Sequence, residues 1–185
     1  MLLEIEKMKL GDIDLSSLNV GTRLMLSTNG TLTTTLETLF FEKVEVFKIF
    51  ESLVKASEVS DSVKLRLNLC DEEMLLKRDV FLQGKTSKRN YVYATSYVAI
   101  DKLSPNFRDE LVKSQTPIGY IWNRYKIPLY KEFISYTVSV VGDLAEGFQI
   151  KKDEILYDRT YIVYSDNIPI TIITEKFPMM ETNFK

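Results

Sequence analysis

The closing stretch of the chain, Arg159–Pro178, reads as a β-hairpin, and a hairpin commits the fold to antiparallel pairing. In its first strand Tyr157, Arg159, Tyr161 and Val163 share a face. In its second, Ile170, Ile172 and Thr174 point one way, and Thr171, Ile173, Glu175 and Phe177 the other. That alternation puts the carboxylate of Glu175 on an apolar face between Ile173 and Phe177. A lone carboxylate costs several kcal/mol to bury unless it is paired or protonated, so about that much must be recovered by an ion pair or spent on chemistry.

The rest of the chain repeats the hairpin logic. Met74–Leu82 and Tyr91–Ile100 alternate on either side of a turn at Gln83–Asn90. Val44–Leu53 reads as a strand with a ragged period, Val63–Leu69 as a half-buried strand after a polar break at Ser57–Ser62, and Glu132–Val141 as another strand. Helical spacing of Leu32, Leu36, Leu39 and Phe40 predicts a helix over Thr31–Phe41, with Ser27, Asn29 and Thr31 as capping candidates. Ser104-Pro105 opens a second helix toward Val112, and Thr116-Pro117-Ile118-Gly119 a third running to Tyr125. Residues 1–20 read as an irregular lead-in. Strands joined as hairpins, with helices inserted rather than alternating, give an α+β fold: a single domain over residues 1–185, built on an antiparallel β-sheet with flanking helices.

Absences narrow the chemistry. With no histidine in 185 residues, the common Ser-His-Asp and Cys-His nucleophile systems and every His-ligated metal site are excluded. Cys70 is the only cysteine, so no internal disulfide or cysteine zinc site forms, and it reads as a small strand residue. No Gly-rich phosphate loop supports a nucleotide cofactor. Catalysis would fall to carboxylates, Lys, Arg, Tyr, hydroxyls or backbone groups. A net charge of -2 argues against a nucleic-acid binder. No apolar run reaches the roughly 18 residues a membrane span needs, and the acidic Met1–Lys7 is unlike a signal peptide, so the expected address is cytoplasmic.

Arg78 repeats the anomaly of Glu175. Met74, Leu76, Arg78, Val80 and Leu82 share a face, while Lys77 and Asp79 occupy the other. A guanidinium there wants an anion: a protein carboxylate, Glu175 among the candidates, or the carboxylate of a ligand. Arg159 is open to two readings, a second anion ligand or a cation stacked on tyrosines. The Thr116–Gly119 turn offers unpaired backbone N–H groups that favour an anion. Lys85, Lys88 and Arg89 read as a solvated hairpin tip.

Taken in order, Arg78 within Leu75–Leu82, the Thr116-Pro-Ile-Gly119 turn, and Arg159…Pro169…Thr174-Glu175…Phe177-Pro178 resemble the chorismate pyruvate-lyase (4-hydroxybenzoate synthase) family, in a divergent branch, from about Leu24 to Pro178. The resemblance implies a chorismate lyase-like fold with a buried ligand pocket, and cofactor-free conversion of chorismate to 4-hydroxybenzoate and pyruvate. It implies that Arg78 holds the ring carboxylate, that Glu175 contacts the region of the 4-hydroxyl as acid or base, and that backbone N–H groups at Leu32 and Ile118 complete the carboxylate site, with Thr116, Gly119 and Arg159 around it. One departure stands out. Where characterised bacterial members carry a second arginine in the strand after the central hairpin turn, the alignment places Thr95 here, so the side-chain carboxylate of chorismate would rely on Arg159 or Arg124. The hairpin pattern Arg159-Thr-Tyr161…Pro169…Glu175…Pro178 is also similar to the ligand-sensing domains of a bacterial transcription-regulator family, which bind small effectors and catalyse nothing. A non-catalytic aromatic-acid binding module is therefore the alternative, and the short, non-basic segment Met1–Gly30 counts against an attached DNA-binding domain.

Overall fold

A computed structural model describes residues 9–114 and 116–180. Its frame is a six-stranded antiparallel sheet, in order of sequence β3 (Val44–Lys55), β4 (Met74–Gly84), β5 (Asn90–Ala99), β6 (Tyr130–Val140), β7 (Ile155–Ser165) and β8 (Ile168–Phe177). In space the order is β3-β4-β5-β8-β7-β6, so the closing hairpin packs its second strand beside the central one. The α+β antiparallel class expected from the hairpin pattern is the class observed. The last hairpin turns at Asp166 and Asn167, both left-handed, as a tight two-residue connection demands.

The two faces of the sheet bury separate cores. On one face, α1 (Val20–Ser27) and α2 (Leu32–Phe40) pack Met25, Leu26 and Leu36 against Val46, Val80, Leu82, Tyr157 and Phe177. Beside them α4 (Pro105–Lys113) and α5 (Ile118–Arg124) press Phe107, Leu111, Ile121 and Trp122 on Leu76, Val98, Tyr161 and Ile173. On the other face, α3 (Asp61–Leu67) sets Leu67 against Leu75, Ala99, Ile162 and Ile172, and α6 (Ala145–Phe148) sets Phe148 against Phe81 and Leu156. The alternation Leu75/Leu76 and Phe81/Leu82 along β4 serves both cores at once. Among the described residues no helix is long and apolar enough to cross a membrane.

The segment expected as a strand over Val63–Leu69 is helix α3. Ser60 accepts a hydrogen bond from the Val63 N–H and Asn68 closes the helix in the left-handed region. Seven residues of alternation fit both periods: Leu67 is fully buried four residues after Val63, whereas Leu65 is left 83% exposed. Cys70 accordingly lies in an exposed turn rather than a strand. The lead-in expected over residues 1–20 also needs revision. Residues 1–8 lie outside the described residues, but β1 (Lys9–Leu10) and β2 (Ile13–Asp14) form a small hairpin turning at Gly11, whose φ is +58°. Helix α1, not expected from the sequence, starts at Asn19, whose side chain accepts from the Thr22 N–H at 2.8 Å while its amide donates to the Met180 carbonyl at 2.6 Å. The expected sharing of a face by Ile170 and Ile172 fails: the β7–β8 register shifts between Val163 and Tyr164, and Ile170 joins the core of Ile173.

Glu42, between α2 and β3, ties the β4–β5 turn to the helix layer. It accepts from the N–H groups of Thr86 and Ser87 at 2.9 and 3.0 Å, from the Ser87 hydroxyl at 2.6 Å, and from the Tyr91 hydroxyl. Burial pushes the Glu42 carboxyl up, but the donors from Ser87, Tyr91 and Thr86 outweigh it and pull the group down to about 2. A depressed carboxyl contributes stability above its ordinary value of 4.5 and loses it as pH falls toward about 2. Glu42→Gln should therefore lower unfolding stability by about 1–2 kcal/mol at neutral pH, measured by urea denaturation. The gap to the native chain should close between pH 4.5 and about 2.

Candidate active site

Between the helix layer and the sheet lies a cavity of about 350 Å³. Its floor is the face of the sheet that carries the misplaced charges: Arg78, Val80 and Leu82 on β4, Ala94 and Ser96 on β5, Ile173 and Glu175 on β8, and Tyr161 on β7. Its roof is the loop Asn29–Thr31 running into α2, together with the start of α5, and Lys131 on edge strand β6 closes one side. Arg78 and Glu175 thus border one cavity from strands two places apart, with backbones on the order of 10 Å from each other.

Neither charge is bonded to the other. Arg78, 3% exposed, donates through Nε to Glu51 Oε2 across the β3–β4 pair at 2.9 Å, and Glu51 is held in turn by Lys48 at 3.1 Å. Burial lowers the Arg78 pKa, with Glu51 opposing. The guanidinium Nη2 is buried with no hydrogen-bond partner, and so is the indole Nε1 of Trp122, which also borders the cavity. Orphaned buried donors are rare in folded proteins, and these two belong to side chains that border the cavity, while Arg159 Nη2 is a third, behind Glu175.

Glu175 is anchored from behind. Its register partner Arg159 on β7 donates Nε to Oε2 at 2.6 Å, and Tyr161 donates its hydroxyl to Oε1 at 2.8 Å. Arg159 is fully buried and reaches past the carboxylate to the C-terminal end of α1, donating to the carbonyls of Met25 and Thr28 at 2.6 and 2.9 Å. A cation there satisfies carbonyls that the helix leaves open and complements its dipole. Its guanidinium also lies over the rings of Phe133 and Tyr161, 5.5 and 5.7 Å from their centroids. Burial, reinforced by the Glu175 charge, raises the Tyr161 hydroxyl well above the usual tyrosine range, so it stays a donor.

Of the residues singled out from the sequence, the cavity gathers Arg78, Glu175, Leu32, Ile118 and Gly119. Leu32 and Ile118 open α2 and α5, where first-turn N–H groups precede any intrahelical acceptor. The two helix starts are pressed together: a Cβ on Gly119 would meet Thr31 Cγ2 at 2.6 Å. Thr116 and Arg159 are outside the lining, Thr116 because the turn presents Pro117 and Ile118 instead, Arg159 because Glu175 stands in front of it. Thr95 is not a cavity position either. Its neighbours Ala94 and Ser96 face the cavity, and Thr95 faces away beside Asp79 and Thr174. Arg124 pairs with Glu110 on the surface.

Two lining residues gave no signal in the sequence. They are Trp122 on α5 and Lys131 on β6, neither of which breaks the pattern of its segment. Lys131 donates to the Gly30 carbonyl at 2.6 Å and lies 5.0 Å from the Tyr161 ring centroid. It has no ion-pair partner among the described residues. Burial lowers its pKa, with the Glu175 charge opposing and Arg159 adding to the drop. No cluster of acidic or cysteine side chains among the described residues could hold a metal ion.

A model of the Rv2949c-like chorismate pyruvate-lyase family matches residues 26–185. The chorismate pyruvate-lyase of Mycobacterium tuberculosis is 28% identical over 170 residues, covering 91% of this chain and 84% of that protein. Among solved structures, PhnF from Mycobacterium smegmatis superposes with a TM-score of 0.66 at 10% identity, over 82% of this chain and 65% of that one. A GntR-family transcriptional regulator from Bacillus cereus superposes with a TM-score of 0.56 at 12% identity, over 77% and 96%. These structural likenesses are of fold alone.

The buried Arg159–Glu175 pair is open to a direct test. Arg159→Met would leave Glu175 and the end of α1 without their shared cation, and should cost about 3–5 kcal/mol of unfolding free energy. Glu175→Gln keeps an oxygen for Arg159 and should cost clearly less in the same denaturant titration.

Proposed function

The chain belongs to the Rv2949c-like chorismate pyruvate-lyase family, and from that premise we propose that it converts chorismate to 4-hydroxybenzoate and pyruvate without a metal or organic cofactor. The observation that carries the reading is the convergence of Arg78, with an unpaired buried donor, and Glu175 on one enclosed cavity.

Chorismate has a carboxylate on ring carbon C1, the enolpyruvyl ether on C3 and a hydroxyl on C4. In the proposed reaction the C4 proton is removed and the C3–O bond breaks. Its electron pair leaves with the enolpyruvyl oxygen, the ring becomes aromatic, and the released enolate takes up a proton on its methylene carbon to become pyruvate. Arg78 receives the ring carboxylate through Nη2, with the N–H groups of Leu32 and Ile118 and the Trp122 indole as further donors. Glu51 holds the guanidinium in place through Nε.

Glu175 is then the base toward C4. Both of its oxygens already accept, from Arg159 and from Tyr161, which leaves lone pairs to take a proton and no proton to give. Thr116 and Gly119 shape the turn that presents Ile118. Arg159, expected as a substrate ligand, acts at one remove by fixing Glu175. The apolar wall formed by Val80, Leu82, Ala94 and Ile173 keeps water from the ring.

Incubation of the protein with chorismate should release 4-hydroxybenzoate and pyruvate in equal amounts. Glu175→Gln should lower kcat by about 10²–10⁴-fold, the usual weight of a general base. Arg78→Ala should raise KM by at least about tenfold through the lost charge-assisted contact. Near-native turnover by both variants would sink the assignment. Tight binding of 4-hydroxybenzoate with no turnover would favour the non-catalytic binding module instead.

A further inference from the structure

The proposed substrate is a dianion, and the cavity as described so far meets only one of its carboxylates. Arg78 is bonded to Glu51, and Arg159 to Glu175. That leaves one cation bordering the cavity without a carboxylate partner among the described residues, Lys131. It projects from β6, at the opposite edge of the sheet from the β3–β4 pair that fixes Arg78, and on the far side of Glu175. In register it is opposite Val163, on the same face as Tyr161 and Glu175. Of the three donors on its ammonium, one is used by the Gly30 carbonyl, and two remain.

We propose that Lys131 is the ligand for the second, enolpyruvyl carboxylate of the substrate, a role that neither Thr95, which faces away from the cavity, nor Arg159 or Arg124, which lie outside its lining, can fill. The inference rests on the lyase reading of the site. Its geometric content is an ordering across the sheet: Arg78 at the ring carboxylate, Glu175 at the reacting carbon, Lys131 at the departing three-carbon acid. A single carboxylate–ammonium contact in a half-buried setting gives the charge a specific role. Lys131 attracts the ligand that carries the extra carboxylate and is indifferent to the product that has lost it. After cleavage the ring acid stays with Arg78 and pyruvate with Lys131, so the two products are held at separate places. The Gly30 contact adds a mechanical consequence, because a carboxylate on Lys131 also braces the loop that roofs the cavity.

The test compares a two-carboxylate ligand with a one-carboxylate ligand on three proteins: native, Lys131→Met, which keeps the apolar stem, and Lys131→Arg, which keeps the charge. Chorismate affinity or KM should weaken by about 10- to 100-fold in Lys131→Met. The Kd for 4-hydroxybenzoate should move less than about twofold, since the product lacks that carboxylate and makes no contact worth more than a few tenths of a kcal/mol there. Lys131→Arg should recover most of the loss. A structural role through the Gly30 loop would weaken both ligands together, and that result, or an unchanged KM for chorismate, would overturn the proposal. The lyase reading fails separately. If the native protein binds chorismate without cleaving it, a preference for chorismate over 4-hydroxybenzoate that vanishes in Lys131→Met still supports Lys131 as the anchor, and the absence of such a preference overturns it.

Discussion

The buried pair of Arg159 and Glu175 is the joint on which the site hangs. One guanidinium, fully out of water, meets a carboxylate on the adjacent strand and the open carbonyls at the end of α1. Those carbonyls belong to the helix that leads into the cavity roof, and the carboxylate belongs to the floor. The pair therefore sets the distance between roof and floor as well as the pose of Glu175. Lysine would not substitute. Its ammonium is a single point, whereas the fork of arginine reaches the carboxylate and the helix end with different nitrogens.

The same pair explains how the cavity tolerates a carboxylate in its wall. Glu175 repels an anionic ligand, but Arg159 directly behind it cancels the charge at a distance, while the Tyr161 hydroxyl occupies Oε1 without adding charge. On the far side Arg78 is bonded to Glu51, which it shares with Lys48. Arg78 and Glu175 are thus each already bonded to an opposite charge, whereas the charge of Lys131 has no carboxylate partner among the described residues. Burial weakens that charge, which an incoming carboxylate would restore.

The sequence displayed the charges but not their partners. Glu175 and Arg78 were legible because period-two alternation is unambiguous over eight to ten residues, and each broke it on an apolar face. Their counter-ions were not, since Glu51 follows a β-bulge in β3 that disrupts the period, and the Arg159–Glu175 contact depends on a hairpin register that is shifted by one residue near Tyr164. Helix α3 reads as a strand from its sequence because a short alternating run carries both periods, and the Ser60 and Asn68 caps decide for the helix. Helix α1 lacks a strong apolar stripe of its own, and is held by the Asn19 cap, the Met180 backbone and Arg159, all supplied by distant residues. Lys131 breaks no pattern in its strand, and only the roof loop that meets it at Gly30 gives it a site.

A lyase and a binding module on this fold place different demands on the wall carboxylate. A site that only recognises an aromatic acid gains from cations and from neutral donors, and a glutamine at 175 would meet a ring hydroxyl as well as a glutamate does, without repelling the ligand. Retaining a negative charge there, with a full arginine buried to make it tolerable, has a thermodynamic cost. Under the lyase reading that charge has a use, because a carboxylate held in fixed geometry can take the C4 proton. The Arg159 support is common to both readings, since the same hairpin pattern is similar to that of sensing domains that catalyse nothing, and what the lyase reading alone requires is the lone pairs left open on Glu175.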